Sequence, residues 1–323
     1  MGEPYQIVIE QTGGPEVLLR KPLSPRAPGP GEVLVRQSAI GLNFIDTYHR
    51  SGLYPVKLPF VPGTEGAGEI EAVGPDVNDL MVGDRVAYLG AGTYASHYTG
   101  PAARMLKLPD AVSNDAAAAI LLKGLTAWML LFEIRRVEAG EWALIWAPVG
   151  GVGTLLLPWA VSLGTQVVAV TSSEAKADKA RALGARHVIL RDEPVAETVR
   201  TLTGGAGVSV SYDSVGLNSA QESLDSLKPR GWWMSYGNAS GAAAPVAPGV
   251  LGAKGSLILT RPGLFHFIAE RGDLQRGAAA VFGALQTGTI KAEIGQSFAL
   301  RDVADAHWTL EAGGTVGATL LRP

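Results

Sequence analysis

Between residues 142 and 173 the chain carries no charged residue, and this stretch limits the available folds more than any other. It is long enough for a helix to cross a bilayer. However, Pro148, Gly150, Gly151, Gly153, Pro158 and Gly164 break it at short intervals. The pattern instead predicts a strand over 143–146, a tight glycine turn, a helix over 152–163 and a strand over 166–170. All of it would be buried in a globular domain, and we expect no membrane association. Pro158 falls inside the predicted helix, where it removes one backbone donor and should kink the axis.

Strand and helix then alternate. Helices are predicted over 174–183, 195–202 and 219–227, and strands over 187–190, 208–212, 231–236 and 255–260. Strands separated by single helices imply βαβ units and a parallel sheet. Continuous apolar runs such as Val167-Val168-Ala169-Val170 suit a sheet covered on both faces. The first third of the chain reads differently. Short apolar runs at 7–9, 33–35, 69–73, 85–88 and 94–98 lie between Gly and Pro clusters, predicting a partly closed, mainly antiparallel sheet. Residues 114–133 are Ala/Leu-rich and helical, with Ser113 or Asn114 as cap. After residue 264 a helix over 274–286 and strands near Ser297 and 318–321 return to the first domain. The segment 241–252 reads as a loop.

The sharpest local motif is Ala147-Pro148-Val149-Gly150-Gly151-Val152-Gly153, which follows an apolar strand and opens a helix. In that setting Gly150 lets backbone approach a pyrophosphate, the helix start offers unpaired N–H groups, and Gly153 permits close helix–strand packing. The first glycine of a G-x-G-x-x-G pattern is replaced by Pro148, so an ordinary βα turn is the alternative. The next strand runs into Val170-Thr171-Ser172-Ser173-Glu174-Ala175-Lys176. A site for the unphosphorylated dinucleotide usually has an acid at this tip for the ribose 2′-hydroxyl. Here hydroxyls, a helix start and Lys176 stand there instead, with Arg191 after the following strand. That set suits a 2′-phosphate and points to NADPH. Glu174 dissents, and Lys176 and Arg191 as plain solvated charges are the bland alternative.

Composition excludes several chemistries. Cysteine is absent, so disulfides, thiolate nucleophiles, iron–sulfur clusters and Cys-ligated zinc are ruled out. The net charge of −3 and the lack of a basic stripe argue against nucleic acid as a partner. Residues 1–10 lack a basic start followed by an apolar run, so a cytoplasmic location is expected. The five histidines show no helical ligand spacing and read as core or surface.

Several stretches in order carry a family resemblance: GGPEVL at 13–18, GLNFIDTY at 41–48, SGLYP at 51–55, GTEGAG at 63–68, KGLT at 123–126, GGVG at 150–153, YDSVG at 212–216 and YGN at 236–238. Across nearly its whole length the chain resembles the zinc-free quinone oxidoreductases of the medium-chain dehydrogenase superfamily, relatives of zeta-crystallin. The resemblance implies an α/β protein with a GroES-like, mainly β catalytic domain (1–124 and 265–323) and a Rossmann, doubly wound parallel-sheet domain binding NADPH (125–264). It implies a homodimer and NADPH-dependent reduction of quinones. Zinc-dependent relatives have Cys where this chain has Asn43 and His where it has Thr64, so no metal is expected.

By the same resemblance, Asn43, Asp46, Tyr48 and Thr126 line the nicotinamide and its ribose. Gly150, Gly151 and Val152 form the pyrophosphate turn, and Ser172, Ser173, Lys176 and Arg191 the 2′-phosphate site. Ser214, Val215, Tyr236, Gly237, Asn238, Ser240 and Arg261 follow strands whose ends face the cofactor. Tyr54 lies beside the substrate. The departures are Trp146, where His is common, Pro148, and Arg191, where Tyr is common.

The expected reaction is direct hydride transfer from the nicotinamide C4 to a quinone, with Tyr54, Tyr48 or Asn43 donating a hydrogen bond to the developing oxyanion. Two alternatives stay open: reduction of an enone or alkenal double bond, and a non-catalytic NADPH-binding protein of structural or RNA-binding type. The apolar run at 255–260 ends the parallel series as an open edge, and a second copy is expected to pair there.

Overall fold

The computed structural model describes residues 3–323. The chain divides into two compact units. The first runs from the start of the described chain to Leu125 and takes in Glu270–Gln286 and Lys291–Pro323. The second is Thr126–Ala269 with Thr287–Ile290.

The first unit opens with a hairpin of β1 (Tyr5–Val8) and β2 (Leu19–Pro22). Then come β3 (Glu32–Leu42), helix α1 (Phe44–Ser51), β4 (Glu65–Val73), β5 (Arg85–Leu89), β6 (His97–Pro101) and β7 (Met105–Lys107). Helix α2 (Asn114–Trp128) carries the chain out of this unit and continues as one wider turn, Met129–Glu133. Ser113 caps α2, its hydroxyl accepting the Ala116 N–H at 3.1 Å. Residues 114–133 are the one described segment apolar and long enough to cross a membrane, and most of it is buried inside the protein.

The second unit alternates as the sequence predicts: β8 (Trp142–Trp146), α3 (Gly153–Ser162), β9 (Gln166–Thr171), α4 (Glu174–Ala182), β10 (His187–Leu190), α5 (Val195–Leu202), β11 (Val208–Asp213), α6 (Ala220–Ser226) and β12 (Leu227–Ser235). It closes with α7 (Pro248–Ala253), β13 (Ile258–Thr260) and α8 (Leu264–Phe267). One local expectation changes: the segment 241–252 is not all loop, because Pro248 starts α7. Helix α3 runs through Pro158, as expected.

The chain then returns through α9 (Arg271–Gln286), β14 (Ile294–Ala299), α10 (Val303–Glu311) and β15 (Ala318–Arg322). In the first unit the strands order as β14-β15-β3-β4-β5-β7, with β6 also on β3. Every pairing in this sheet is antiparallel except β14 with β15. Along β3 buried and half-buried residues alternate at first, as for a strand covered on one face. Helix α10 packs Val303, Ala306 and Leu310 on Ile7, Ile40, Leu42, Tyr94 and Leu321. Each such aliphatic side chain contributes about 1.5–3 kcal/mol on leaving water.

The sheet of the second unit is wholly parallel, ordered β10-β9-β8-β11-β12-β13. The chain builds outward from β8 to β10, then crosses back to start again at β11. The carboxyl ends of β8 and β11 flank that reversal, where open α/β sheets bind their ligands.

Candidate cofactor and substrate site

At the carboxyl end of β8, Ala147 takes a left-handed conformation, φ 51°, which turns the chain sharply into the glycine run. Gly150 donates its N–H to Ala147 O at 3.0 Å. A Cβ on Gly153 would lie 2.2 Å from Ala147 O and 2.7 Å from the carbonyl carbon of Pro148. Only glycine fits there, and the start of α3 lies directly on the turn. That helix start, with its positive dipole end, makes a cradle that fits a pyrophosphate.

The adjacent tips of β9 and β10 collect the predicted 2′-phosphate residues. Ser173 caps α4, its Oγ accepting from Lys176 N, and Lys176 Nζ lies 3.3 Å from Ser172 Oγ. Arg191 N–H donates to Thr171 O at 2.8 Å, which holds the exposed Arg191 beside them. At the tips of β11 and β12 the loops carrying Ser214, Val215, Gly237, Asn238 and Ser240 are tied together. Ala239 N–H donates to Ser214 O and Ser240 N–H to Val215 O. The Ser240 hydroxyl bonds Val215 O at 2.9 Å, so it braces the loops. Tyr236 N–H is held by Asp213 O, and Arg261 reaches Ser235 O at 2.9 Å. Thr126 is buried in α2.

A residue that the sequence reading did not assign organises this rim. Asp213 is fully buried at the end of β11. Its Oδ1 accepts from Val215 N, Gly216 N and Ser219 Oγ, at 2.9, 3.2 and 2.6 Å. Its Oδ2 accepts from Ser223 Oγ and Trp233 Nε1, both at 3.0 Å. The carboxylate thereby shapes the loop that presents Ser214 and Val215.

In the first unit, the candidates sit on α1 and the turn after it. Gly52, φ 84°, ends the helix in the left-handed conformation. The rings of Tyr48 and Tyr54 meet edge to face, centroids 5.2 Å apart, and Tyr54 N–H donates to Tyr48 O. Both rings are half-buried.

Asn43 and Asp46 are both buried in an internal hydrogen-bond network. Asn43 is 5% exposed, and its amide Nδ2 donates to Glu65 Oε1 at 2.8 Å and Gly41 O at 3.4 Å. Both contacts of that amide nitrogen are made inside the protein. Asp46 has no exposed surface. Its oxygens accept from Thr64 Oγ1 (2.6 Å), Asn43 N (2.9 Å) and Tyr94 OH (3.1 Å). Asp46 thus braces the start of α1 from within. Burial pushes its carboxyl up to about 6, against the downward pull of those three donors.

Glu65 is equally buried and accepts from Lys123 Nζ at 3.0 Å and Leu122 N–H at 2.8 Å. Gly41 makes room for it, since a Cβ there would come within 2.2 Å of Glu65 Oε1. The two positions where zinc-dependent relatives carry Cys and His are thus wired to carboxylates by direct hydrogen bonds. Among the described residues no three His, Asp or Glu side chains gather as a metal-binding group. Thr64, Glu65 and Lys123 lie in motifs visible in the sequence. Their pairing was not, because the partners are up to 58 residues apart.

Residues 29–110 match the alcohol dehydrogenase GroES-like domain, and residues 151–263 the zinc-binding dehydrogenase family. A quinone oxidoreductase of Pseudomonas aeruginosa is 46% identical over 96% of this chain and 97% of its own length. The chain belongs to the quinone oxidoreductase family. Within that family, the Escherichia coli quinone oxidoreductase, solved in complex with NADPH, superposes with a TM-score of 0.96. It is 41% identical, over 99% of this chain and all of that one. A 2-haloacrylate reductase of a Burkholderia species is also similar, 40% identical over 98% of both chains.

Proposed function

We propose that the protein is an NADPH-dependent quinone reductase that works without a metal. The observation that carries this is the nearly full-length identity with quinone oxidoreductases, coupled to a strand tip bearing Ser172, Ser173 and Lys176 in place of an acid. The glycine cradle at 150–153 fits a pyrophosphate and the Ser/Lys tip fits a 2′-phosphate. When bound, NADPH supplies a hydride at its nicotinamide C4.

The chain's own residues supply position and exclude water. Gly150, Gly151 and Val152 hold the pyrophosphate, and Ser172, Ser173, Lys176 and Arg191 the 2′-phosphate. Ser214, Val215, Tyr236, Gly237, Asn238 and Arg261 frame the middle of the cofactor, and Thr126 lies beside the nicotinamide. Tyr54, Tyr48 or Asn43 donates to the oxyanion that forms on the quinone, and the half-buried tyrosine pair supports the first two. Water can protonate the resulting hydroquinone anion.

The test is loss of nicotinamide absorbance with a panel of quinones, using NADPH and NADH in turn. Turnover of quinones with NADPH in clear preference to NADH is expected, and turnover of neither quinones nor activated alkenes would overturn the proposal. A second reading, reduction of an activated C=C bond, is favoured by the 40% identity with the 2-haloacrylate reductase. Faster turnover of 2-haloacrylates than of any quinone would select it.

We retain catalytic boundaries of 1–124 and 265–323 and a cofactor domain of 125–264, and a cytoplasmic location. We also retain a homodimer joined at β13, whose Ile258 and Leu259 are each 37% exposed on an open edge. Monomer mass by light scattering would exclude the dimer.

A further inference from the structure

We propose that His307 is a positioning residue for hydride transfer. It sets the direction of a buried hydrogen-bond chain, Arg50 to His307 to Tyr94 to Asp46, that holds the start of α1 and with it Tyr48. The proposal rests on the quinone reductase reading for its kinetic consequence, but not for the chain itself.

The direction follows from donor and acceptor rules. Arg50 NH1 lies 3.1 Å from His307 Nδ1, and a guanidinium can only donate. Whichever ring nitrogen faces Arg50 must therefore carry no proton. Burial first, and then the Arg50 charge, hold the imidazole neutral, with its pKa down to about 3. The other nitrogen, Nε2, must then carry the single proton and donate it to Tyr94 OH at 3.0 Å. The Tyr94 hydroxyl hydrogen is left for Asp46 Oδ2, 3.1 Å away. Each member allows only one arrangement of the next.

The chain is anchored and shielded. Arg50 forks onto the Glu311 carboxylate at 2.9 and 2.7 Å, and its Nε donates to Gly13 O at 3.1 Å, so it cannot turn away. Arg50 is 2% exposed, and His307, Tyr94 and Asp46 not at all. Only Glu311 reaches solvent, its side chain 34% exposed.

Asp46 faces Asn43 on its own element, Thr64 before β4, and Tyr94. Glu65 is the nearby like charge, and Lys123 offsets it. With Tyr94 obliged to donate, the ionised carboxylate is the favoured partner, and it keeps its grip on the Asn43 N–H at the first turn of α1. Tyr48 lies two residues further along that helix. Reversing or deleting the chain leaves a lone pair or a void facing Asp46 and loosens the helix start.

His307→Gln preserves the polarity, because its amide oxygen can accept from Arg50 while its amide NH2 donates to Tyr94. His307→Leu removes both bonds at similar volume. Tyr94→Phe keeps the ring and removes only the hydroxyl. The expected kcat with quinone is within about threefold of wild type for Gln and ~10-fold or more lower for Leu and for Phe, as for a small misplacement of a reacting geometry. NADPH affinity, set in the second unit, should stay within about twofold in all three.

Ring-nitrogen NMR on the wild type should show Nε2 protonated and Nδ1 bare from pH 5 to 8. Equal turnover in the Gln and Leu variants, or a proton on Nδ1, overturns the proposal. If the Leu variant does not fold, Tyr94→Phe decides, and wild-type turnover in it refutes the role. Wild-type protein that reduces no quinone counts against the functional reading, and the nitrogen spectrum then decides the chain by itself.

Discussion

Replacing Asp213 by Asn tests whether the rim of the second unit is organised by one buried carboxylate. Five donors converge on Asp213, three on Oδ1 and two on Oδ2. Asn has one acceptor oxygen, so one side of the fan must face an NH2 group. The less costly orientation keeps the oxygen toward Val215, Gly216 and Ser219. Ser223 can then rotate its hydroxyl and accept. Trp233 cannot, and its indole N–H, on a side chain only 1% exposed, is left against an amide hydrogen.

Two hydrogen bonds to a charge are lost, at about 1.5–3 kcal/mol each, and one neutral bond of about 1 kcal/mol is regained. The net cost is roughly 2–5 kcal/mol. For a unit of roughly 150 residues this lowers the melting temperature by about 4–20 °C. Differential scanning calorimetry reads it directly, with an NADPH titration alongside. Affinity should hardly change if the amide settles as argued, because the bonds to Val215 and Gly216 survive. A melting temperature within about 2 °C of wild type would refute the reasoning.

Three further perturbations follow from the same geometry. Gly153→Ala puts a methyl 2.2 Å from a backbone oxygen that cannot step aside, so the phosphate turn must open. It should cost about 1–3 kcal/mol in stability and ~10-fold or more in NADPH affinity, read by nicotinamide fluorescence, and undiminished affinity would remove the turn from the cofactor site. Lys176→Ala should weaken NADPH about 10–100-fold, from a charge pair worth about 1–4 kcal/mol at ~4 Å, while leaving NADH unchanged. Equal loss for the two coenzymes in isothermal titration would count against a 2′-phosphate contact.

The third concerns pH. His307 is held down to about 3 in the folded protein from an ordinary value of 6.5, so its contribution to stability is full above pH 6.5 and is lost as pH falls through about 3. Between pH 7 and 4.5 that amounts to about 2–3 kcal/mol. His307→Gln cannot protonate, and urea unfolding should show the variant gaining on wild type by that amount on acidification. A pH-independent difference would mean that His307 is not buried neutral.

Much of the architecture was legible because it is written locally. The βαβ series follows from apolar strands separated by short amphipathic or Ala-rich segments. Gly153 declared itself by standing between a strand and a helix. What stayed hidden has one physical cause. The partners of Asp46, Asp213 and His307 are chosen by tertiary topology, and Tyr94 to His307 spans 213 positions. A histidine with no helical neighbour of ligand type reads as core, which it is. Nothing near it in sequence says that Arg50 dictates its tautomer. The Asn43–Glu65 hydrogen bond is hidden for the same reason, since only the fold brings Glu65 against that amide.

Strand β15 lies beside β3, pairing Thr319 with Leu42 and Leu321 with Ile40. The sheet that carries α1 therefore stays incomplete on the ribosome until the segment beyond residue 317 has emerged, whereas every strand of the parallel sheet is available by residue 260. Truncation before residue 318 should therefore leave the first sheet without β15, while the parallel sheet keeps all its strands.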